Sequence, residues 1–366
     1  MTEKRKNQAV TVVIILFFLM LCTRLWVKTP DAFSDSERRE LSQFPELSWN
    51  TILSGKFMTE FDSFSLDQFP MRDAFRSLKA FLVFDVFGQR DNNGIYLADG
   101  YAAGMEYPLQ EDSLDRAAER FSYVYEKYLA DTGSKVYFSI VPDKNYFLAE
   151  KNGYPALDYN LLIDRMREKT GFMTYIDLTE TLTLKSYYRT DTHWRQETLI
   201  PTAEKLAEGM KVELTKDYEV KTLDQPFYGV YYGQAALPIE PDMLSFLTNK
   251  TLDNCVVYDY ENDVTGPVYN MEKACGKDPY EMFLSGSLPL LTITNQAAET
   301  DRELILFRDS FGSSIAPLLT SGYRKITLVD IRYLHPDVLN RYIEFDGQDV
   351  LFLYSTLVLN HSETLK

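Results

Sequence analysis

Apolar residues recur along this chain in two rhythms. Leu114, Ala117, Phe121, Val124, Tyr125 and Tyr128 fall three or four positions apart, which puts them on one face of a helix, and Gly133 supplies its stop. The apolar run 136–141, interrupted only by Ser139, then reads as a buried strand. A second helix fits 156–170, closed by Gly171, and 173–176 follows as another strand. A third helix covers about 195–210 and is interrupted or restarted by Pro201. Later come 304–307, 326–329 and 350–354, each short, apolar and preceded by charge, with helical segments between them. Strands apolar on both faces that alternate with helices predict an α/β domain with a parallel sheet covered on both sides. Such sheets carry their sites at the carboxyl ends of the strands.

The flanking regions depart from this rhythm. Residues 30–95 read as a membrane-proximal region of short helices. Ser36-Glu37-Arg38-Arg39 opens one, and Gln68-Phe69-Pro70-Met71-Arg72 breaks and restarts another. Periodicity returns at Phe75, Leu78, Lys79 and Leu82 and ends near Gly88. Asn93-Gly94 and Asp99-Gly100 bracket Ile95-Tyr96-Leu97, a short strand between turns. The stretch from about 211 to 291, rich in Tyr, Asp, Pro and Gly, reads as an insertion lying over the sheet. The expected organisation is therefore 1–29, 30–95, and an α/β domain over 96–366.

At the N-terminus, Lys4, Arg5 and Lys6 precede an apolar run closed by Arg24, Trp26 and Lys28. The stretch from Ala9 to Val27 reaches the roughly 17–25 residues a span needs if Arg24 snorkels. Positive charge ahead of the run puts the N-terminus in the cytoplasm and the rest outside. The rival reading is a cleaved secretory signal, against which stands the bulky, charged sequence Cys22-Thr23-Arg24-Leu25-Trp26. Either reading exports the protein.

A formal net charge of −16 argues against nucleic acid as a partner, because binding it needs a basic face. Cys22 lies in the apolar run, which leaves Cys255 and Cys275 as the one pair available for a disulfide. Neither CxxC nor HExxH occurs, so no metal site and no cofactor is expected.

Three histidines shorten the search for a catalytic base. His335 precedes Pro336 in a helix-start arrangement, and His361 is near the C-terminus. His193 stands in Arg189-Thr190-Asp191-Thr192-His193-Trp194, where Asp191 can accept from the imidazole and fix its tautomer. The plainer reading has Asp191 or Thr192 capping the next helix. Ser310 follows the apolar strand Leu304-Ile305-Leu306-Phe307, at Asp309-Ser310-Phe311-Gly312, beside the backbone N–H groups of a helix start. Its plainer reading is again a cap. Together, Asp-x-His and a strand-end serine supply nucleophile, base and orienter for acyl transfer. Asp143 and Lys144, after the first core strand, read as a salt-bridged loop.

Asp191-Thr192-His193-Trp194 resembles the signature of the DHHW family, whose members are similar to the alginate O-acetyltransferase group. The likeness runs through nearly the whole chain in order. It includes Ser36-Glu37-Arg38-Arg39 with Phe44-Pro45, Gln68 to Arg72, Val141-Pro142-Asp143-Lys144, Phe227 to Tyr232, Tyr280 to Gly286, Arg308-Asp309-Ser310 and Val329 to Tyr333. The resemblance implies an SGNH-like, flavodoxin-type three-layer sandwich with Ser310 as nucleophile, His193 as base and Asp191 as orienter. It further implies oxyanion or supporting roles for Gly286, Ser287 and Asp309, and substrate contacts for Trp194, Tyr232 and Arg332. Where Gly-Gly-Asn is expected the chain reads Ser285-Gly286-Ser287, so Ser287 replaces an oxyanion-hole asparagine only weakly. The implied activity is O-acetyl transfer to, or acetyl-ester cleavage from, an exported polysaccharide or wall glycan. A multi-span membrane acyltransferase is the implied acetyl donor. The alternative is a membrane-tethered glycan-binding or scaffold protein with an unused triad.

Overall fold

A computed structural model describes residues 2–34, 36, 37, 39–236 and 239–366. The chain divides into two compact units, residues 1–93 with 232–238, and residues 94–231 with 239–366.

The N-terminal unit begins with helix α1 (Glu3–Val27). Its 25 residues extend about 37 Å at 1.5 Å per residue, enough for a bilayer core of ~30 Å. Among the described residues it is the one helix long and apolar enough to cross a membrane. That is compatible with a single-pass anchor and with a signal sequence alike. Strands β1 (Phe33–Ser34) and β2 (Arg39–Glu40) pair antiparallel. This corrects the expected helix start at Ser36; Arg38 lies outside the described residues. Helices α2 (Trp49–Leu53), α3 (Lys56–Asp67) and α4 (Arg72–Phe81) follow. Polar motif residues hold this unit together. The Gln68 amide accepts from Asp31 N and donates to the Asp31 and Ser42 carbonyls. Arg39 forks onto Asp67 at 2.6 and 2.9 Å, and Arg72 and Arg76 pair with Glu37.

The larger unit opens with β3 (Ile95–Ala98) and β4 (Tyr101–Gly104), an antiparallel pair. The turn joining them holds Asp99 at φ +51 and Gly100 at φ +79, the left-handed pair that a two-residue hairpin turn requires. Helix α5 (Glu111–Val124), β5 (Lys135–Val141), α6 (Tyr159–Lys169), β6 (Thr174–Tyr175) and α7 (Ile200–Met210) follow. Beyond them lie β7 (Glu219–Phe227), β8 (Asp242–Thr248), β9 (Cys255–Asp259), β10 (Val264–Gly266) and β11 (Leu290–Asn295). The chain ends with β12 (Glu303–Arg308), α8 (Gly312–Leu319), β13 (Lys325–Val329) and β14 (Asp349–Ser355).

Eight strands form one sheet in the order β10-β9-β11-β13-β12-β14-β5-β6. The five from β13 to β6 run parallel, while β11, β9 and β10 join antiparallel. The sheet is thus mixed rather than parallel throughout. Part of the expected insertion extends the sheet at its edge instead of lying over it, and β7 and β8 form a separate two-stranded sheet. Pleating sorts the apolar runs. Leu304, Leu306, Leu351 and Leu353 pack with α7 and α8 on one face. Ile305, Phe307, Val350 and Phe352 pack with α5 and α6 on the other. Both faces are therefore covered, which is why these strands read as continuous hydrophobic runs. Cys255 is buried, Cys275 is exposed, and both are free thiols, so the disulfide left open by the sequence is not formed.

Candidate active site

The carboxyl ends of the parallel strands are laced together by polar side chains. Asp309, one residue past β12, is fully buried. One of its oxygens accepts from Phe311 N at 3.0 Å and the other from Ser355 N at 2.8 Å, at the end of β14. Asp143, after β5, accepts from Thr356 Oγ1 at 2.9 Å, from Asn145 N and from the Tyr159 hydroxyl. Between these anchors Ser310 occupies the corner where β12 turns into α8. The corner is tight: a Cβ on Gly312 would stand 2.5 Å from Arg308 Cβ, so only glycine fits there. Phe311, Gly312 and Ser313 N–H groups are engaged by Asp309 and by the Ser310 carbonyl. Among the described residues the Ser310 N–H has no acceptor.

His193 reaches this corner from a loop closed by a bridge between Tyr187 and Trp194 and by Tyr188 N donating to the His193 carbonyl. Asp191 Oδ1 accepts from both His193 N at 3.0 Å and His193 Nδ1 at 2.6 Å. Asp191 thus closes a turn on its own loop and orients the ring; it caps no helix, the next ones starting behind Arg195 and Leu199 without a side-chain cap. A carboxylate oxygen can only accept, so Nδ1 carries the ring proton and Nε2 is left to accept. Nε2 lies 2.9 Å from Ser310 Oγ.

The Asp191 segment is held from three sides. Its second oxygen accepts from Val230 N at 2.8 Å. The buried Asp242 carboxylate accepts from Arg189 N, Thr190 N and Thr190 Oγ1. Lys144, 3% exposed, donates to the carbonyls of Ala102 and Tyr188 at 2.6 and 2.8 Å, with Arg189 O at 3.4 Å. Gly229 packs so closely that a Cβ there would sit 2.3 Å from Thr190 C and O and 2.4 Å from Asp191 Cβ.

The imidazole itself is stacked on Tyr280, with ring centroids 3.9 Å apart and planes at 12°, and Phe311 touches it at 5.3 Å. The Tyr280 hydroxyl lies 2.8 Å from Ser314 Oγ, which also accepts from Trp194 Nε1 at 2.7 Å. One hydroxyl on α8, a turn beyond Ser310, thus ties down both the residue beside His193 and the ring beneath it.

Several expected residues sit elsewhere or act differently. Trp194 is fully buried and spends its N–H on Ser314, so it is a packing residue and cannot stack on a sugar. Asp309 supports the corner but, accepting on both oxygens, cannot donate to an oxyanion. Arg332 forks onto Asp330 at 2.9 and 2.6 Å, and Asp330 also faces the buried Arg308 at 3.6 Å; the arginine balances a buried carboxylate rather than reaching for substrate. Tyr232 belongs to the N-terminal unit, where it lines a cleft with Arg76 and Phe81. Leu284, Ser285 and Gly286 hold φ of +56, +61 and +92, a strained run of the kind that clusters at functional sites. Among the described residues, neither Gly286 nor the exposed Ser287 hydrogen-bonds to Ser310 or His193. Asp143 and Lys144 point to different partners and do not form the expected ion pair.

Tyr280, Ser314, Gly229 and Asp242 were not singled out for these roles. Only Ser314 left a usable signal, a hydroxyl four residues after Ser310 in the helix that follows it.

Lys144 gives a pH signature. Burial pushes its ammonium down to about 7 from an ordinary 10.5, against the pull of Asp191, Asp242 and Asp143. Between those two values the unfolded chain holds a proton that the folded chain lacks, so this group makes stability rise with pH across that window. Thermal melts of the wild type and Lys144→Met from pH 7 to 10 should therefore diverge, the wild type gaining up to about 1.4 kcal/mol per pH unit relative to the variant. A constant offset would contradict the assignment.

No family model matches the chain, and no curated protein matches it. Solved structures do. A DHHW family protein from Eubacterium siraeum aligns at 22% identity and TM-score 0.63 over 75% of this chain and 95% of its own. PatB1 from Bacillus cereus aligns at 17% identity and TM-score 0.59 over 72% and 96%, and it has also been solved with a sulfonyl adduct. The chain therefore shares the α/β fold of these two proteins.

Proposed function

We propose that the chain is a serine-dependent O-acetyltransferase or acetylesterase acting on an exported polysaccharide or wall glycan. The observation that carries this reading is the relay Asp191–His193–Ser310, with both links at hydrogen-bond length and the serine at a strand–helix corner. As His193 Nε2 takes the hydroxyl proton, Ser310 Oγ attacks the acetyl carbonyl of an ester donor. Asp191 stabilises the imidazolium, and the tetrahedral oxyanion faces the Ser310 N–H. Collapse expels the donor alkoxide, which takes the proton from Nε2 and leaves acetyl-Ser310. A sugar hydroxyl, or water, then gives its proton to Nε2 and attacks that ester. This releases the acetylated sugar, or acetate, and restores the serine.

The glycan class follows from the motif resemblance and from an N-terminal helix suited to export. By the same resemblance, a multi-span membrane acyltransferase supplies acetyl groups from the cytoplasmic side. Sulfonyl fluorides add to serine hydroxyls activated in this way, so the full chain in detergent should be sulfonylated. Ser310→Ala and His193→Ala should each lose the label and lower acetyl release by about 10³-fold or more. Equal labelling and turnover in the wild type and both variants would reject the proposal. Glycan binding that persists without any labelling would favour the scaffold role.

A further inference from the structure

We propose that α2 and its flanks lie in the interfacial layer of the bilayer that α1 crosses, an inference that rests on the membrane-anchor reading of α1. In α2, Trp49, Ile52 and Leu53 stand at i, i+3 and i+4 and so share one helix face. That face is turned outward, with the three residues 79%, 43% and 82% exposed. Leu47 before the helix and Met58 after it are 67% and 59% exposed. A helix of a water-soluble domain turns such a face inward. This one is also well built, with a reciprocal Ser48–Thr51 capping box fixing its start. The apolar face is therefore a presented surface rather than a frayed end.

Its occupant follows from continuity with α1. Trp26, in the last turn of α1, lies 5.9 Å from the Phe44 ring and 6.3 Å from Phe61 of α3, onto which it stacks. Phe57 and Phe61 stack in turn at 6.0 Å. This aromatic cluster starts where the candidate span ends and runs along α3, which Ser54 and Gly55 alone separate from α2. The exposed face thus continues the lipid-facing surface of α1 at the depth where tryptophan rings favour the boundary between hydrocarbon and headgroups. Lys28 and Lys56, both beside this surface in sequence, can extend their ammonium groups to water.

The chain has three tryptophans, and Trp194 is fully buried, which makes the test direct. The full chain carrying Trp26→Phe is reconstituted into phosphatidylcholine vesicles with brominated acyl chains. Its emission should fall by about half relative to unbrominated vesicles, while a Trp26→Phe/Trp49→Phe variant, reporting Trp194 alone, should scarcely change. Aqueous acrylamide should reach Trp49 poorly. Unquenched emission that acrylamide removes would place Trp49 in water and overturn the proposal, leaving the face to a protein partner. A Trp49→Phe variant separates the two readings. Co-flotation with vesicles and quenching of Trp26 without quenching of Trp49 keeps the anchor and rejects the interfacial helix. A chain that does not co-float rejects both.

Discussion

Asp191→Asn is expected to lower kcat/KM by about 10⁴ while leaving the fold in place. The carboxylate accepts three N–H groups, two of them on Oδ1 from His193 N and Nδ1 and one on Oδ2 from Val230 N. Asparagine offers one acceptor oxygen. If that oxygen keeps His193, the amide N–H₂ is driven against Val230 N. If it turns to Val230, the amide faces the imidazole and favours the tautomer protonated on Nε2, which cannot take the Ser310 proton. The first rotamer loses the charge that stabilises the imidazolium and the second loses the tautomer, yet Asp242 and Lys144 still hold the neighbouring backbone. The check is steady-state turnover alongside thermal melts. Turnover within a few-fold of wild type in a folded variant would mean that His193 needs no orienter.

Gly229→Ala should damage both stability and activity, although Gly229 carries no side chain of its own. Its new methyl would need space occupied by Thr190 C and O and by Asp191 Cβ, at 2.3 to 2.4 Å. These are backbone and near-backbone atoms that no rotamer change can move. Thr190 is pinned by Asp242, and its Oγ1 accepts from Gly229 N at 2.9 Å, so relief requires the two segments to part by an ångström or more. Overpacking of this kind costs about 1–3 kcal/mol, and a shift of that size at a catalytic group costs roughly 10²-fold in rate. Gly266→Ala is the control: nothing lies within 4 Å of its added Cβ, and both quantities should stay near wild type. A neutral Gly229→Ala would mean that this approach of two loops is softer than the packing indicates.

How much of this was legible in the sequence differs between the centre of the sheet and its edge. Strands β5, β12, β13 and β14 are buried on both faces, so burial left a mostly apolar run at each. The antiparallel edge left no such run. In β9, Cys255, Val257 and Asp259 are buried while Val256 and Tyr258 are half-covered, and β10 is three residues long, so their Tyr- and Asp-rich surroundings read as an insertion over the sheet. Asp191, His193 and Ser310 were readable because Asp-x-His places two functional groups locally and the serine follows an apolar strand. The contacts that hold them were not. Tyr280 beneath the imidazole, Asp242 across the Thr190 backbone and Gly229 against Asp191 come from positions 38 to 87 residues away from their partners, brought together only by the fold. Trp194 shows the opposite error. The motif resemblance implied a substrate contact, yet a bridge partner of Tyr187 with its N–H on Ser314 has its side chain in the core.

The central claim is that Ser310 becomes acetylated by way of His193. The most direct measurement is intact mass of the full chain in detergent after brief exposure to p-nitrophenyl acetate, beside Ser310→Ala. The account predicts a species roughly 42 Da heavier in the wild type, mapping to the peptide that contains Ser310 and absent from the variant. An adduct that persists in Ser310→Ala, or a folded wild type that forms none and releases no p-nitrophenol, would contradict it.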